Sequence, residues 1–181
     1  AINTDINNCY SNNIPDNSID FAVTSPPYAT ALPYIDTQRL SLVWLSMVES
    51  NGIKNLETEL IGSREFKVKK EQIDWNSFLL ENSKDLPEKV HIFCKALFEK
   101  LDSKDGFRKQ AVPSLLYRYF FQMKNMFEKV EKKLKPNSHY ALIVGHNHTT
   151  IAGIRTDINT PELLVEIAES IGLELTENTP L

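Results

Sequence analysis

Cysteine, basic charge and long apolar runs are all scarce in this sequence of 181 residues. Its two cysteines, Cys9 and Cys94, fit no zinc or redox spacing, so we expect unpaired thiols in a reducing compartment. No apolar run approaches the roughly 20 residues that span a bilayer, and no signal peptide is recognisable, which predicts a cytoplasmic protein without a membrane partner. The net charge of −4 excludes a globally basic protein, so a nucleic acid would have to bind a local patch.

The composition is that of an ordinary globular chain. Hydrophobic residues make up 41% and charged residues 24%, and the length suits one domain or a large part of one. The chain begins at Ala1 rather than at a methionine, directly in strand-like residues. We interpret it as an excised part of a longer protein.

One stretch, Ile19 to Tyr28, reads as a strand that runs into two prolines. Five of its first six residues are apolar or β-branched, which predicts a buried β-strand. Pro26 and Pro27 cannot donate to a ladder, so the strand must end about here. We therefore expect an extended rim at the carboxyl end of the strand, which is where open α/β sheets bind ligands.

Apolar periodicity and breaker residues predict the remaining elements. In chain order these are a strand-like piece at 1–3, helices at 36–50, 87–101 and 114–135, a strand at 139–145, a polar loop at 145–149, a helix from the N-cap Thr160 to Ile171 closed by Gly172, and a strand at 173–177. Strands and helices alternate, which predicts an α/β fold with a largely parallel sheet covered by helices.

Two helical stripes of apolar residues are expected in the core. The first belongs to helix 36–50 and includes Trp44. The second belongs to helix 114–135, where steps of four and three put six residues on one face: Leu116, Phe120, Met123, Phe127, Val130 and Leu134. Lysines on the opposite face alternate with glutamates, which favours a solvated surface over a phosphate-binding one.

The rim Ser25-Pro26-Pro27-Tyr28 offers a specific set of chemical groups. Its extended backbone presents carbonyl acceptors, beside a neutral hydroxyl and a flat ring. Such a set suits a planar heterocycle with an amino group, because the ring can stack on it and the acceptors can hold the NH₂. From these residues alone, a proline-terminated strand with an ordinary loop tyrosine is an equal alternative.

Two further clusters carry open alternatives. His146 and His148 follow a predicted strand, but no third ligand lies at a sensible spacing, which favours a polar loop over a metal site. The basic cluster at 64–70 could contact phosphates or form a solvated surface. It consists of Arg64, Lys67, Lys69 and Lys70.

The segment Thr24-Ser25-Pro26-Pro27-Tyr28, preceded by Ile14-Pro15-Asp16-Asn17-Ser18-Ile19-Asp20, resembles the catalytic motif of amino-group DNA methyltransferases. These enzymes use S-adenosylmethionine to methylate exocyclic nitrogens of DNA bases. The serine form of the motif is the one usual in N4-cytosine enzymes, whereas N6-adenine enzymes more often carry aspartate. Later segments are also similar to this family, namely 32–40, 60–63 and 134–138.

This resemblance implies a partial class I methyltransferase domain spanning 1–181. Its sheet would be Rossmann-like with helices on both faces, built from 1–35 and 111–181. Residues 36–110 would form a mostly helical insertion that acts as a target-recognition element. The implied partner is double-stranded DNA with one base flipped out, in a restriction–modification or solitary methylase setting.

The resemblance also implies residue roles. Ser25 and the Pro26 carbonyl would accept hydrogen bonds from the target amino group, in a motif completed by Pro27, and Tyr28 would stack on the base. Methyl transfer of this kind needs positioning rather than a strong base. The remaining candidates are Asp5 near the adenine of the cofactor, Tyr34 and Arg39 as walls of the base pocket, and Arg64 and Lys67 as DNA contacts.

Glycine marks a departure from the family. Methyltransferases of this type bind the methionine part of the cofactor with a glycine-rich turn, but the six glycines here form no such cluster. We therefore expect this chain to carry only the base-amine half of the site, with an incomplete cofactor pocket. A second chain or another segment would supply the turn. The alternatives are an N6-adenine or RNA-base methyltransferase, and a non-catalytic split subunit that binds nucleic acid or a partner chain.

Overall fold

The computed structural model describes residues 14–29 and 34–180. This part is mixed α/β, with six helices and two small sheets, so the predicted fold class is confirmed at that level. The elements are β1 (Ile19–Thr24), α1 (Tyr34–Trp44), α2 (Ile53–Glu59), α3 (Lys69–Glu81), α4 (Glu88–Glu99), α5 (Phe107–Lys133), β2 (Leu134–Leu142), β3 (Asn147–Ile151), β4 (Ile154–Ile158) and α6 (Thr160–Ser170). The predicted strand-like piece at 1–3 lies outside the described residues.

The first sheet is the parallel pair β1–β2. Ile19 pairs with Leu134, and after an irregularity Phe21 pairs with His139. The extra residues between these pairs include Asn137, whose φ of 62° is left-handed. A parallel pairing was predicted, and it is confirmed for these two strands, with the strand predicted at 139–145 paired as far as Leu142.

The prediction that β1 is buried is wrong. The side chains of Phe21 and Val23 are 56% and 58% exposed. On the other face, Tyr140 and Leu142 of β2 pack against the hydrophobic core. Alternate residues of a strand point to opposite faces, and no element of the described part covers the second face.

Helix α5 is the centre of the hydrophobic core. The predicted stripe is confirmed for Leu116, Phe120, Met123 and Phe127, which are all buried. The helix begins at Phe107, before the predicted start at 114, and includes Pro113. A proline inside a helix forfeits one backbone hydrogen bond and normally breaks it. Here Pro113 and the run from Ser114 to Phe120 are buried, and this packing keeps the helix continuous.

Helices α3, α4 and α6 pack around α5 and share its core. The region 36–110 is mostly helical, as predicted, and its buried Leu79, Val90, Cys94 and Leu97 belong to the same cluster as α5 and α6. Whether this region is an insertion in a larger sheet stays a prediction. Cys94 is a free thiol, and burial raises its pKa.

Helix α1 ends at Trp44, earlier than the predicted Ser50. Ser46 has a left-handed φ of 54°, and Met47 N–H donates to the Leu42 carbonyl at 2.9 Å, which closes the helix in a Schellman-type cap. Trp44 is 82% exposed, so its predicted place in the core is wrong. Its stripe is apolar, but no described element packs over it.

A hairpin, β3–β4, replaces the polar loop predicted at 145–149. Ala152 and Gly153 form its turn with φ of 51° and 74°, the left-handed pair of a type I′ turn. Alanine rarely adopts this conformation, so the sequence carries little signal for the turn. Asp105 stabilises it by accepting the Ala152 N–H at 3.0 Å. Burial of Ile151 and Ile158 fixes the hairpin on the core.

The last helix, α6, begins one residue from the predicted cap. The N-cap is Asn159, whose side chain accepts from the Glu162 N–H, and Thr160 is the first helical residue. Gly172 has a φ of 95° just beyond the helix, in the closing position that was predicted. The strand predicted at 173–177 is wrong: this segment pairs with no described strand.

Replacing Phe120 with alanine should lower the free energy of unfolding by about 3–5 kcal/mol, because a fully buried ring leaves a cavity. Phe107→Ala on the same helix is the matched control, since that ring is 77% exposed, and it should cost less than about 1 kcal/mol. Urea denaturation measures both. Equal losses would contradict the assignment of α5 as the core helix.

Asp105→Asn should remove an acid-sensitive part of the stability. Backbone N–H groups of Asp102 and Ala152 lower the pKa of the Asp105 carboxyl, so the native state binds its proton less readily than the unfolded chain. Its contribution is therefore present above the unfolded pKa of about 4 and is lost as the pH falls through the lower native pKa. Urea midpoints from pH 6 to 3 should fall less steeply for Asp105→Asn than for the control Asp157→Asn on the exposed side of the hairpin.

Candidate functional site

The Ser-Pro-Pro-Tyr rim lies at the carboxyl end of β1, as predicted. The last ladder bond runs from Ile143 N–H to the Thr24 carbonyl at 2.9 Å, and residues 25–28 continue without regular structure. Ser25 is exposed and Pro26 is buried. The strand thus ends where the prolines remove its donors.

Tyr28 lies against the end of the neighbouring strand. Its side chain is 41% exposed, and a Cβ at Gly145 would be only 3.4 Å from the ring Cε1. This distance is an ordinary van der Waals contact, so the ring packs directly against the backbone at residue 145. The carboxyl ends of β1 and β2 therefore meet at Tyr28, which is the geometry of a ligand-binding sheet edge.

Asn147, the first residue of β3, holds the far end of the motif. Its carboxamide Nδ2 donates to the carbonyl of Ala29, which is buried, and its Oδ1 accepts from His148 N–H at 2.8 Å. The loop after β1 is thus tied to the loop after β2. Sequence reasoning placed Asn147 in a polar loop and assigned it no role.

A turn at Gly62 packs on the motif from another side. Gly62 has a φ of 79°, and a Cβ there would lie 3.6 Å from the Pro27 Cβ, the Tyr28 carbonyl oxygen and the Tyr119 Cδ2. The segment 60–63 was one of those that resemble the family. The structure brings it into contact with the motif, although more than thirty residues separate them in the chain.

A buried arginine on α5, Arg118, fixes the chain that follows Gly62. Its guanidinium donates to the carbonyls of Ser63 at 2.9 Å and Glu65 at 3.0 Å, and to the Glu71 carboxylate at 3.1 Å. It also stacks over the Phe66 ring, 4.6 Å from the centroid. Burial lowers the pKa of Arg118, and the charge of Glu71 opposes this shift.

Sequence reasoning missed Arg118. The only signal was a lone cation within the otherwise apolar and aromatic run 115–121 of a helix. A buried charge needs partners, so such a residue predicts a set of acceptors from elsewhere in the chain. Here those acceptors are backbone carbonyls of the loop that supports the candidate site.

The structure records no contact between the motif and the other predicted site residues that it describes. Arg39, Arg64 and Lys67 are exposed and form no salt bridge with any described residue. Arg64 and Lys67 lie in the loop that Arg118 holds, directly after the Gly62 turn. Asp5 and the side chain of Tyr34 lie outside what the structure describes.

His146 and His148 are both exposed, near the end of β2 and in β3. Across residues 14–29 and 34–180, no group of three histidine, cysteine or acidic side chains is placed to hold a metal ion. Within the same ranges, no helix has the length and apolarity needed to cross a membrane.

The site presents the exposed Ser25 hydroxyl and the Tyr28 ring on either side of Pro26 and Pro27, in contact with Gly62, Gly145 and Asn147. It combines hydrogen-bond acceptors with a half-exposed aromatic surface. Such an arrangement can hold a flat, amino-bearing group by stacking and by accepting its N–H bonds. Comparisons with protein-family models, curated proteins and solved structures find no significant match to the chain.

Arg118→Met should destabilise the protein by about 2–4 kcal/mol, because it leaves two carbonyls and a carboxylate without their buried donor. Arg108→Met on the exposed start of α5 is the matched control and should cost less than about 1 kcal/mol. Hydrogen exchange should show faster opening of residues 62–66 in the Arg118 variant. Unchanged exchange there would contradict the positioning role.

Proposed function

We propose that this chain carries the base-amine half of the active site of an S-adenosylmethionine-dependent DNA amino-methyltransferase, with N4 of cytosine as its preferred target. The observation that carries the proposal is the geometry of the rim. An intact Ser-Pro-Pro-Tyr sequence follows a strand that pairs in parallel with its neighbour. The serine is exposed, and the tyrosine ring packs against Gly145 beyond the end of the adjacent strand.

The residues of the rim would position and polarise the target amine. Ser25 Oγ and the Pro26 carbonyl accept its two N–H bonds, which concentrates lone-pair density on the nitrogen. Tyr28 stacks on the flipped base and fixes its plane. S-adenosylmethionine, when bound, supplies the methyl group from its sulfonium. The methylated nitrogen would release its extra proton to water, so the reaction depends chiefly on alignment of the amine and requires no strong general base.

Among the described residues no glycine-rich turn is available to hold the methionine part of this cofactor. Asp5 remains the proposed contact to its adenine. One face of the β1–β2 sheet is covered by no described element. Parallel sheets are normally covered by helices on both faces, so the uncovered face supports a larger, Rossmann-like assembly. Phe21, Val23 and Ile143 would lie under the added layer, since all three are about half exposed. A second chain or a further segment would provide both this layer and the glycine-rich turn.

DNA would approach along the loop that follows Gly62. Arg64 and Lys67 are exposed there and free of salt bridges within the described part of the chain, as phosphate contacts require. Lys69 and Lys70 extend the same basic cluster into α3. Arg39 and Tyr34, on α1, would form the wall of the base pocket, and the helices of 36–110 would act in target recognition. The cytoplasm is the proposed compartment.

A non-catalytic split subunit is the second candidate. The missing glycine-rich turn favours it, whereas the exposed serine and supported tyrosine of the motif favour chemistry. An N6-adenine or RNA-base methyltransferase would use the same rim, because each target presents an exocyclic amine.

The isolated chain should transfer little or no methyl group to DNA and should bind S-adenosylmethionine weakly, since it holds only the base side of the site. Single-turnover transfer with labelled cofactor and calorimetric titration measure the two properties. Robust transfer or tight cofactor binding by this chain alone would refute the half-site. In the complete enzyme, nucleoside analysis should find N4-methylcytosine, and N6-methyladenine would redirect the proposal.

Ser25→Ala in the complete enzyme should lower kcat by about 10²-fold, because one acceptor of the amine is lost. Ser170→Ala, at an exposed serine on α6, is the control and should leave kcat unchanged. Tyr28→Ala should weaken use of the DNA by about 10- to 100-fold through lost stacking, while Tyr28→Phe should retain most activity. Full activity of Ser25→Ala would refute the assigned role.

A further inference from the structure

The ammonium of Lys84 lies among three aromatic rings on the side of the helical core. Lys84 belongs to the turn between α3 and α4, and its Nζ is 4.1 Å from the ring centroid of Phe78, 5.3 Å from that of Phe121 and 5.8 Å from that of Trp75. All three distances are within the range of cation–π attraction. We call Trp75, Phe78 and Phe121 the aromatic cage.

The rings of the cage form walls rather than a stack. Trp75 and Phe78, three residues apart on α3, have centroids 5.5 Å apart and planes at 85°. Phe121 on α5 is 6.0 Å from Trp75 and tilted by 53°. Each ring packs against the core on one side and is partly exposed to solvent. Rings at steep angles to one another can direct their electron-rich surfaces at one cation.

The cage holds Lys84 without a carboxylate. Lys84 forms no salt bridge with any residue that the structure describes, although Asp85 is its neighbour. The Asp85 carboxylate instead lies 3.5 Å from Lys124 Nζ. A site that attracts a cation by rings alone favours weakly hydrated cations, because a primary ammonium must give up strong hydration to enter it. Methylated ammonium groups meet that condition.

The turn that carries Lys84 is anchored independently of its side chain. Lys84 N–H donates to the Tyr117 hydroxyl at 3.2 Å. Asn82 accepts from Leu86 N–H at 3.2 Å and donates to the Leu86 carbonyl at 2.9 Å. The backbone can therefore keep its conformation when the lysine side chain leaves the cage.

We propose that the aromatic cage is a binding site for methylated ammonium groups, and that Lys84 occupies it as an intramolecular competitor. The site is independent of the methyl-transfer proposal. Its ligand is a trimethylated lysine side chain or a small quaternary ammonium molecule, both of which present the same onium group. Removal of the Lys84 side chain opens the cage.

Titration of the full chain tests the site through tryptophan fluorescence. Trp44→Phe leaves Trp75 as the sole tryptophan, since the chain has two. In this background Lys84→Ala should give saturable quenching by trimethyllysine amide at concentrations about tenfold or more below those needed with Lys84 present, because a tethered competitor is lost. Lys100→Ala, at an exposed lysine after α4, is the matched control and should titrate like the parent.

The neutral isostere of trimethyllysine, with a tert-butyl group in place of trimethylammonium, separates cation–π attraction from simple apolar burial. The cage should bind the cation and not the isostere, and Phe78→Leu added to Lys84→Ala should abolish the response. Circular dichroism verifies that each variant is folded. Lys84→Gln is a second variant that removes the ammonium group from the cage. A parallel titration with choline distinguishes the two kinds of ligand. Tighter binding of trimethyllysine amide than of choline indicates a trimethylated lysine of a protein. Equal binding of the isostere, or no saturable response in folded Lys84→Ala and Lys84→Gln, would overturn the proposal.

Discussion

Burial of α5, which is enclosed on every side from Pro113 to Phe120, is the interaction on which the rest of this structure depends. Helices α3, α4 and α6 all pack on it, and the β1–β2 sheet joins the same core through Tyr140, whose ring meets Phe127 edge-on at 5.9 Å. The same helix also reaches the candidate site, because Tyr119 and Arg118 contact the loop around Gly62. A single rigid element thus supports both the scaffold and the loops that surround the Ser-Pro-Pro-Tyr rim.

The sequence predicted elements well where one local pattern dominated. The stripe that includes Phe120 and the strand that stops at the two prolines were both found because periodicity and backbone chemistry act within a few residues. The hairpin at Ala152 was missed because its turn uses a residue type that rarely adopts a left-handed φ. Apolar periodicity also predicted that Trp44 lies in the core. An apolar stripe indicates which face of a helix favours burial, but it does not show which element packs on that face.

The sequence predicted where the motif lies in the fold, but it did not predict the residues that surround the motif. The motif could be read from adjacent residues, so Ser25 and Tyr28 were named correctly as neighbours at a strand end. Its supports, Gly62, Gly145 and Asn147, are distant in the chain and have no shared local signature. Their contribution is a backbone contact, a left-handed φ at Gly62 or a single hydrogen bond from Asn147, and these are recognisable only once the loops are placed together.

The parallel pairing of β1 with β2 also has a consequence for how the protein forms. Ile19 meets Leu134 only after the whole helical region between them has been synthesised, so this pairing closes a long loop and its entropic cost falls late. Among residues 14–29 and 34–180, β2 is the strand that pairs with β1, so until β2 forms, the apolar Phe21 and Val23 lack this described neighbour. The contacts among α3, α4 and α5 are closer together in the sequence than the β1–β2 pairing, so the sheet edge that carries the motif has the higher entropic cost of closure.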